Sequence, residues 1–350
     1  MQLQIERPTL HPNRPLKVGY FLPETEGRRG PDVARWTELR DLALRAEAVG
    51  FDSLWAVDRL LFPAGEEYSA ELNDTLGVTA PLSEPLSETG DSKGGWEAWS
   101  LMAALAAVTT RVELGQYVTN SLFRNPALLA KMAETVDEIS GGRLILAIGA
   151  GDGGGDAPRF GYPNDHRVGR FEEAIQIIHG LLRTGRADFE GQYYRVREAE
   201  LRPRGPRIQG PPILIGSQLG PRMLRLAAQY ADLWNTFHAF RPEDVAAGLA
   251  PLDAACAVVG RDPATLERVL SVMVDLPGPR QHPPSTAYGY ERAALAAESG
   301  TLLSGEPAAI AEGLRAYARV GVAHLVVWLD PDTVEGIEAF APVLALLDGE

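Results

Sequence analysis

Residues that could do chemistry are concentrated in a run of glycines. The apolar segment "RLILAI" at 143–148 predicts a buried strand, and five of the seven residues from 149 to 155 are glycine. Asp152 and Asp156 are the acids in and beside this run. Because glycine adopts positive φ readily and lets a ligand approach the backbone, the run predicts a ligand surface built of main chain. A flexible loop without a ligand is the plainer alternative.

The same run contains a "GxGxxG" match at Gly149, Gly151 and Gly154. In a dinucleotide-binding fold such a match opens directly into a helix. Here the next helical pattern begins only near His166, so that fold is not predicted.

A second candidate site is the stretch "PPILIGSQLGPRMLRLA" at 211–227. Its predicted strand is followed by a helix that opens at Gly220–Pro221. Free N–H groups at a helix N-terminus, together with a small hydroxyl and an arginine, predict a phosphate-binding site. An ordinary strand-to-helix turn is the alternative. The candidate residues here are Gly216, Ser217, Gln218 and Arg222.

Isolated polar residues after other predicted strands are further candidates. Asp58 follows strand two, Asn120 follows strand three and His238 follows strand six. Buried strands have no need of such groups, so we expect them to serve a site. His179, among apolar residues of a helix, is predicted to be structural. The six histidines and the single Cys256 show no metal-ligand spacing, and no metal site is predicted.

These candidate residues can form one site only if the fold brings the carboxyl ends of their strands together. Short β-branched runs alternate with helical patterns, and a strand followed by a helix eight times predicts an α/β fold, a (β/α)8 TIM barrel. In such barrels the active site lies at the carboxyl ends of the strands. An open doubly wound sheet is the alternative. The predicted strands are 17–22, 52–57, 112–118, 143–148, 212–216, 232–236, 269–274 and 324–329.

Three stretches interrupt this alternation within what we predict to be one domain, residues 1–350. Residues 63–95 and 275–303 are long insertions on the C-terminal face. Loops of that length predict lids or substrate walls, with plain surface loops as the alternative. Residues 187–204 alternate around "EGQY" and predict a β-hairpin before strand five.

Composition limits the classes of partner. A formal net charge of -14 argues against nucleic acid, which is bound through clustered lysines and arginines. The single cysteine excludes a disulfide within the chain. The N-terminal residues lack a signal-peptide pattern, and no apolar run is long enough to span a membrane. We expect a cytoplasmic protein.

Several segments together resemble one known family. These are "GFDSLWAVDRL", "FRNPALLAKMAETVDEISGGR", "DHRVGRFEEAIQIIHGLL" and "PPILIGSQLGPRMLRLAAQYADLWNT". They resemble the luciferase-like monooxygenase superfamily of flavin- and deazaflavin-dependent (β/α)8 oxidoreductases. The resemblance covers most of residues 16–236 and resumes weakly from about 304.

The resemblance implies where a flavin-type ring would bind. "GQYVTN" matches the strand-three segment in which a non-prolyl cis peptide, here Tyr117–Val118, supports the ring, with Asn120 beside it. Gly151 and Asp152 would lie at its pyrimidine end. The loop that receives the cofactor phosphate matches Gly216, Ser217 and Gln218, with Arg222 beside it. His166 and Arg170 match a segment at the head of the family's fourth helix and would assist the phosphate or a lid.

The resemblance implies an FMNH₂-dependent monooxygenase acting on a small organic substrate. Asp152 and His238 would handle protons, Asp58 would position charge and Arg59 would contact substrate. A separate flavin reductase and a homodimer are the implied partners. Many members carry a histidine directly after the strand-two acid, whereas this chain has Asp58–Arg59, which puts a carried-over catalytic histidine in doubt.

Two other functions stay open at this point. One is a coenzyme F420-dependent reductase or dehydrogenase, whose long anionic tail would need Arg28, Arg29 and the Arg202–Arg207 cluster. The other is a non-catalytic flavin-binding protein, suggested by the missing histidine. A sugar-phosphate barrel enzyme fits the family-like segments poorly.

Overall fold

The computed structural model describes residues 11–26, 33–62, 92–151, 156–236, 240–277 and 300–349. Eight parallel strands form a closed barrel, because the first strand pairs with the last as well as with the second. The predicted (β/α)8 barrel is thus confirmed. The strands are β1 Lys17–Phe21, β2 Ser53–Ala56, β3 Glu113–Gln116, β4 Leu144–Gly149, β5 Ile213–Gly216, β6 Leu233–Asn235, β7 Glu267–Asp275 and β8 His324–Asp330.

Strand β3 is shorter than the sequence predicts. It ends at Gln116, and the chain then pairs with β4 again through Thr119–Asn120. The two intervening residues, Tyr117 and Val118, are joined by a cis peptide bond, as the resemblance implies. This break places residues 117–120 at the carboxyl end of the barrel.

Helices cover the outside of the barrel, and most of them begin where the sequence signals. Asn125 caps one by accepting N–H bonds from Ala127 and Leu128. The helix that begins at Pro307 follows Glu306, and Ser304 ends the short strand before it. The helices are α1 Trp36–Val49, α2 Ala98–Val108, α3 Pro126–Ser140, α4 Arg167–Thr184, α5 Pro221–Tyr230, α6 Pro242–Val258, α7 Pro307–Arg319 and α8 Val334–Asp348.

Smaller elements lie between these units. The predicted hairpin is confirmed, with Arg186–Glu190 antiparallel to Arg195–Glu200. Leu302–Ser304 runs beside β7, and Leu61–Phe62 pairs with Lys93–Gly94. Most of the two predicted insertions lies outside the described residues, so their interpretation as lids stays a prediction. Among the described residues, no helix is long and apolar enough to cross a membrane.

Aromatic side chains fill the inside of the barrel. The indole of Trp55 on β2 lies across two neighbouring strands that carry glycine at the facing positions. A Cβ at Gly115 on β3 would lie 2.5 Å from the Trp55 ring, and one at Gly19 on β1 would also clash with it. These glycines are therefore required by packing and not by a turn.

Replacing Gly115 with alanine should lower the free energy of unfolding by about 1–3 kcal/mol, because the added methyl group overpacks the Trp55 ring. Removing the ring with Trp55→Leu should make the same glycine substitution less costly. Urea unfolding of the two single variants and the double variant measures this coupling. Additive effects would show that the ring is not what requires the glycine.

His179 on α4 is half-buried, with its ring 5.3 Å from that of Tyr230, in agreement with a structural role. Burial, assisted by the charge of Arg183, lowers the pKa of His179 to about 4. The folded protein therefore binds the proton less readily than the unfolded chain does.

The resulting stability is present above about pH 6.5 and is lost as the pH falls toward 4. His179→Gln should therefore show a shallower fall in unfolding free energy between these two pH values than the parent protein. Chemical denaturation at a series of pH values gives both slopes. Equal slopes would mean that His179 keeps an ordinary pKa in the fold.

Candidate functional site

A cavity of about 300 Å³ opens at the carboxyl ends of β2 to β6. It combines residues far apart in sequence, since each strand of a parallel barrel ends at the same face. Nine of the predicted site residues line it: Asp58, Arg59, Tyr117, Val118, Asn120, Gly151, Gly216, Ser217 and Gln218. Two others, His166 and Arg222, line a neighbouring groove. Asp152 and His238 lie outside the described residues.

Val118 forms part of the cavity floor. A Cβ at Gly149 on β4 would lie 2.9 Å from its Cγ2, and one at Gly216 on β5 would lie 2.8 Å from its Cγ1. The valine side chain thus occupies the space that side chains on both strands would need. Packing against Val118 is therefore enough to require glycine at both positions, which also line the cavity.

Gly151 has a different neighbour. Its φ is +77°, a conformation that favours glycine, and a Cβ there would lie 2.8 Å from Oδ1 of Asn120. The Asn120 amide oxygen also accepts the N–H of Leu122 at 3.1 Å. The described glycines at 149 and 151 therefore accommodate protein side chains, and the main-chain ligand surface expected from the glycine run stays a prediction.

Polar groups from β5 and β6 order another wall of the cavity. The indole N–H of Trp234 donates to Oγ of Ser217 at 2.9 Å, which orients the serine while its own O–H can still donate. Asn235 donates to the hydroxyl of Tyr117 and, at 3.0 Å, to the carbonyl of Val269. Sequence analysis missed Asn235, although an amide after the apolar "DLW" was a signal for it.

Asp58 is buried in an ion pair. Nη1 and Nη2 of Arg124 approach its two oxygens at 2.6 and 3.0 Å, and the N–H of Asn120 donates to Oδ2 at 3.0 Å. Arg124 also contacts Glu97. Burial raises the pKa of Asp58, whereas Arg124 acts in the opposite direction. The carboxylate joins β2 to the segment after the cis peptide, so it positions Asn120.

Arg59 and Asp156 form a second charged pair at the cavity. Nε of Arg59 lies 3.8 Å from Oδ2 of Asp156, and its guanidinium lies 5.0 Å from the ring of Phe62. Asp156 also accepts the N–H of Leu60 at 3.2 Å. Both side chains are buried and line the cavity. The sequence showed Asp156 beside the glycine run, but nothing there gave it a partner.

Arg167, the first residue of α4, is a cation that the sequence analysis missed. Nη1 donates to the carbonyl of Gly151 at 3.0 Å, and the residue lines both the cavity and the neighbouring groove. The adjacent His166 has an exposed side chain, and Arg170 pairs with Asp165 at 2.9 Å. The position of Arg167 directly after "DH" was the signal in the sequence that could have identified it.

The neighbouring groove has a volume of about 680 Å³ and lies between α4 and the tip of the 186–200 hairpin. Nε of Arg222 donates to Glu172 at 2.8 Å there, so this arginine faces the groove and not the ring cavity. Among the described residues, no group of histidine, cysteine and carboxylate side chains could hold a metal ion.

The arginine cluster proposed for an anionic tail lies elsewhere. Arg204 pairs with Glu134 at 3.2 Å, and Nε of Arg207 pairs with Asp137 at 3.0 Å. Arg207 also donates to the carbonyl of Leu144, the first residue of β4. These arginines are therefore at the amino-terminal end of the barrel, remote from the cavity, and Arg28 and Arg29 lie outside the described residues.

The profile of one protein family matches the chain from residue 16 to residue 276, and its description is luciferase-like monooxygenase. The match confirms the resemblance seen in the sequence. Among curated proteins, the chain is similar to phthiodiolone/phenolphthiodiolone dimycocerosates ketoreductases. That of Mycobacterium bovis is 32% identical over 226 residues, 63% of this chain and 56% of its own length. That of a Mycobacterium sp. is 35% identical over 266 residues, which are 73% of this chain and 66% of its own length.

This chain thus spans little more than half the length of the first of these relatives. Among solved structures, an F420-dependent secondary alcohol dehydrogenase with an F420-acetone adduct gives a TM-score of 0.71 at 21% identity, over 95% of this chain and 99% of that one. A monooxygenase from Streptomyces bottropensis gives 0.70 at 20% identity, over 95% and 99%. Both likenesses support the barrel fold.

Arg124→Met should destabilise the fold by about 3–5 kcal/mol, because it leaves the Asp58 carboxylate buried without its counter-charge. The raised pKa of Asp58 should then rise further, so the loss should grow as the pH increases from about 4 to neutrality. Urea unfolding across this pH range tests both statements.

The matched control is Arg45→Met, which breaks the exposed pair with Glu338 and should cost less than about 1 kcal/mol. Adding Asp58→Asn to Arg124→Met should recover part of the stability. A double variant no more stable than Arg124→Met would contradict the assigned pairing.

Proposed function

The chain belongs to the luciferase-like monooxygenase family, and from this premise we propose that it is an F420-dependent reductase that transfers hydride to the carbonyl carbon of an organic substrate. The observation that carries the proposal is the cavity at the carboxyl end of the barrel, which has Val118 and main chain at its floor and charged groups at its side. The similarity to ketoreductases supports the direction of the chemistry.

The described residues fit a flat tricyclic ring. A cavity of about 300 Å³ is at the lower end of the usual range for small-molecule sites, roughly 300–1,000 Å³. Val118 and the 117–118 peptide would support one face of the ring. Ser217 can donate a hydrogen bond to a phosphate oxygen beside it. F420, when bound, supplies a ring carbon that carries and releases a hydride.

Arg59 is the residue we assign to the substrate carbonyl. Negative charge develops on that oxygen as the carbonyl is reduced, and a fixed cation in a buried site stabilises it. Asp156, with Oδ2 at 3.8 Å from Nε of Arg59, is a counter-charge to this guanidinium at the cavity wall. Asp58, already paired with Arg124, positions the Asn120 segment and does not deliver the proton. The alkoxide formed by hydride transfer takes its proton from solvent water.

A second candidate is the FMNH₂-dependent monooxygenase. It is favoured by the occurrence of Arg59 directly after Asp58, where many family members carry histidine. Among the described residues that line the ring cavity there is no histidine. Oxygenation by a reduced flavin requires exclusion of water more than a histidine acid. This alternative needs a separate flavin reductase as partner.

Purified protein should bind F420 under anaerobic conditions and oxidise reduced F420 when a ketone is supplied. Arg59→Gln should lower kcat on the order of 10²-fold with little change in the F420 Kd, because it removes a charge that acts on the developing oxyanion. Fluorescence titration gives the Kd, and the absorbance of oxidised F420 gives the rate. Arg45→Gln, which changes the same charge on α1, is the control and should leave both values unaltered.

Other outcomes discriminate between the candidates. Binding of FMNH₂ with substrate-dependent oxygen uptake, and no response to F420, would replace this proposal with the monooxygenase. Binding of a flavin without turnover over a broad substrate panel would support the non-catalytic flavin-binding protein.

A further inference from the structure

We infer that the groove between α4 and the hairpin tip binds the anionic, carboxylate-bearing tail of the cofactor whose ring occupies the cavity. The inference rests on the proposed function and identifies a second part of the same ligand site. Three features carry it: the continuity of the two spaces, the arrangement of charge in the groove, and the small volume of the ring cavity.

The two spaces adjoin at the start of α4. Arg167 and Val168 line both, so a chain leaving the ring cavity past these residues enters the groove. The cavity measures about 300 Å³ and the groove about 680 Å³. The smaller space accommodates a ring, and an extended tail requires the additional space that the groove provides.

The hairpin tip forms a fixed wall of the groove. The carboxylate of Glu173 on α4 accepts the N–H groups of Gln192, Tyr193 and Tyr194 at 2.7, 2.8 and 2.9 Å. The Tyr193 ring lies beneath the guanidinium of Arg170 at 4.6 Å. Since Glu173 is engaged with the hairpin, its negative charge is directed to the wall and away from a ligand.

The charges in the groove leave a cation available for a ligand. Glu172 is contacted by two arginines, Arg222 at 2.8 Å and Arg225 at 2.6 Å. If Arg222 turns to a ligand carboxylate, Arg225 still neutralises Glu172. Arg167 adds a second cation at the entrance, where its described partner is a neutral carbonyl.

This location replaces the one expected from the sequence. The Arg202–Arg207 cluster lies at the opposite end of the barrel, where Arg204 and Arg207 pair with Glu134 and Asp137. In a chain of net charge -14, an anionic ligand needs a local group of arginines, and the groove brings Arg167 and Arg222 next to the ring cavity.

The test compares two ligands that share the ring and the phosphate: F420 with its glutamyl chain, and the deazaflavin 5′-phosphate, which lacks the lactyl and glutamyl groups and is the tail-less ligand. In the parent protein F420 should bind more tightly, and the difference should shrink at high salt because exposed ion pairs are screened. Arg222→Gln should weaken F420 roughly two- to fivefold and leave the tail-less ligand unchanged. Glu172→Gln should strengthen F420 binding by a similar factor.

Arg45→Gln on α1 is the matched control, since it removes an exposed arginine of an ion pair far from the groove, and it should change neither affinity. The inference is overturned if Arg222→Gln weakens both ligands equally or neither. If the parent protein binds neither ligand, the proposed function fails and the inference falls with it. Binding of both ligands with equal affinity preserves the proposed function and refutes the tail site alone.

Discussion

The side chain of Val118 occupies the point where β3, β4 and β5 meet at the open end of the barrel. Gly149 and Gly216 are both within contact of its methyl groups, and neither position could carry a Cβ without displacing it. The cavity floor depends on this contact, because it sets how closely the ends of β4 and β5 approach the residues that follow β3. The positions of Tyr117 and Asn120 follow from the same arrangement.

Charge in this acidic chain is used in pairs. Asp58 and Arg124 connect β2 to the segment before α3. Arg59, the residue after Asp58, forms a charged pair with Asp156 at the cavity. Adjacent residues in sequence thereby take different roles. Asp58 has a structural role, since removing its partner Arg124 would leave a buried carboxylate without a counter-charge. Arg59 stays at the cavity wall, where a cation can act on a ligand.

The lining of the ring cavity differs in chemical character from that of the groove. The cavity is bounded by Val118, main chain and a few polar groups, whereas the groove carries arginines, a tyrosine ring and a hairpin secured by Glu173. A flat ring joined to an anionic chain matches this sequence of environments. The arginines at the amino-terminal end of the barrel instead bind carboxylates of α3 and main-chain carbonyls, so they stabilise the fold.

The barrel was predictable from the sequence because its signals are local. Apolar runs with helical patterns between them predict the alternation of strands and helices without knowledge of their neighbours. Gly50 and Gly141, at the ends of α1 and α3, adopt the left-handed conformation that is typical of glycine at a helix end. The cavity-lining residues after β2, β3 and β5 were predictable for a related reason: parallel strands bring their carboxyl ends to one face.

Only the tertiary structure decided which partner each of these residues has. The sequence contains Asp58, Asp156, Arg124 and Arg167, but their contacts join positions up to 97 residues apart, which no local pattern specifies. The sequence also contains the Arg202–Arg207 cluster, but only the structure shows that Arg204 and Arg207 lie at the amino-terminal end of the barrel, remote from the cavity. Local propensity determines the elements, whereas the pairing of charges and the packing of Val118 depend on distances that exist only once the barrel closes.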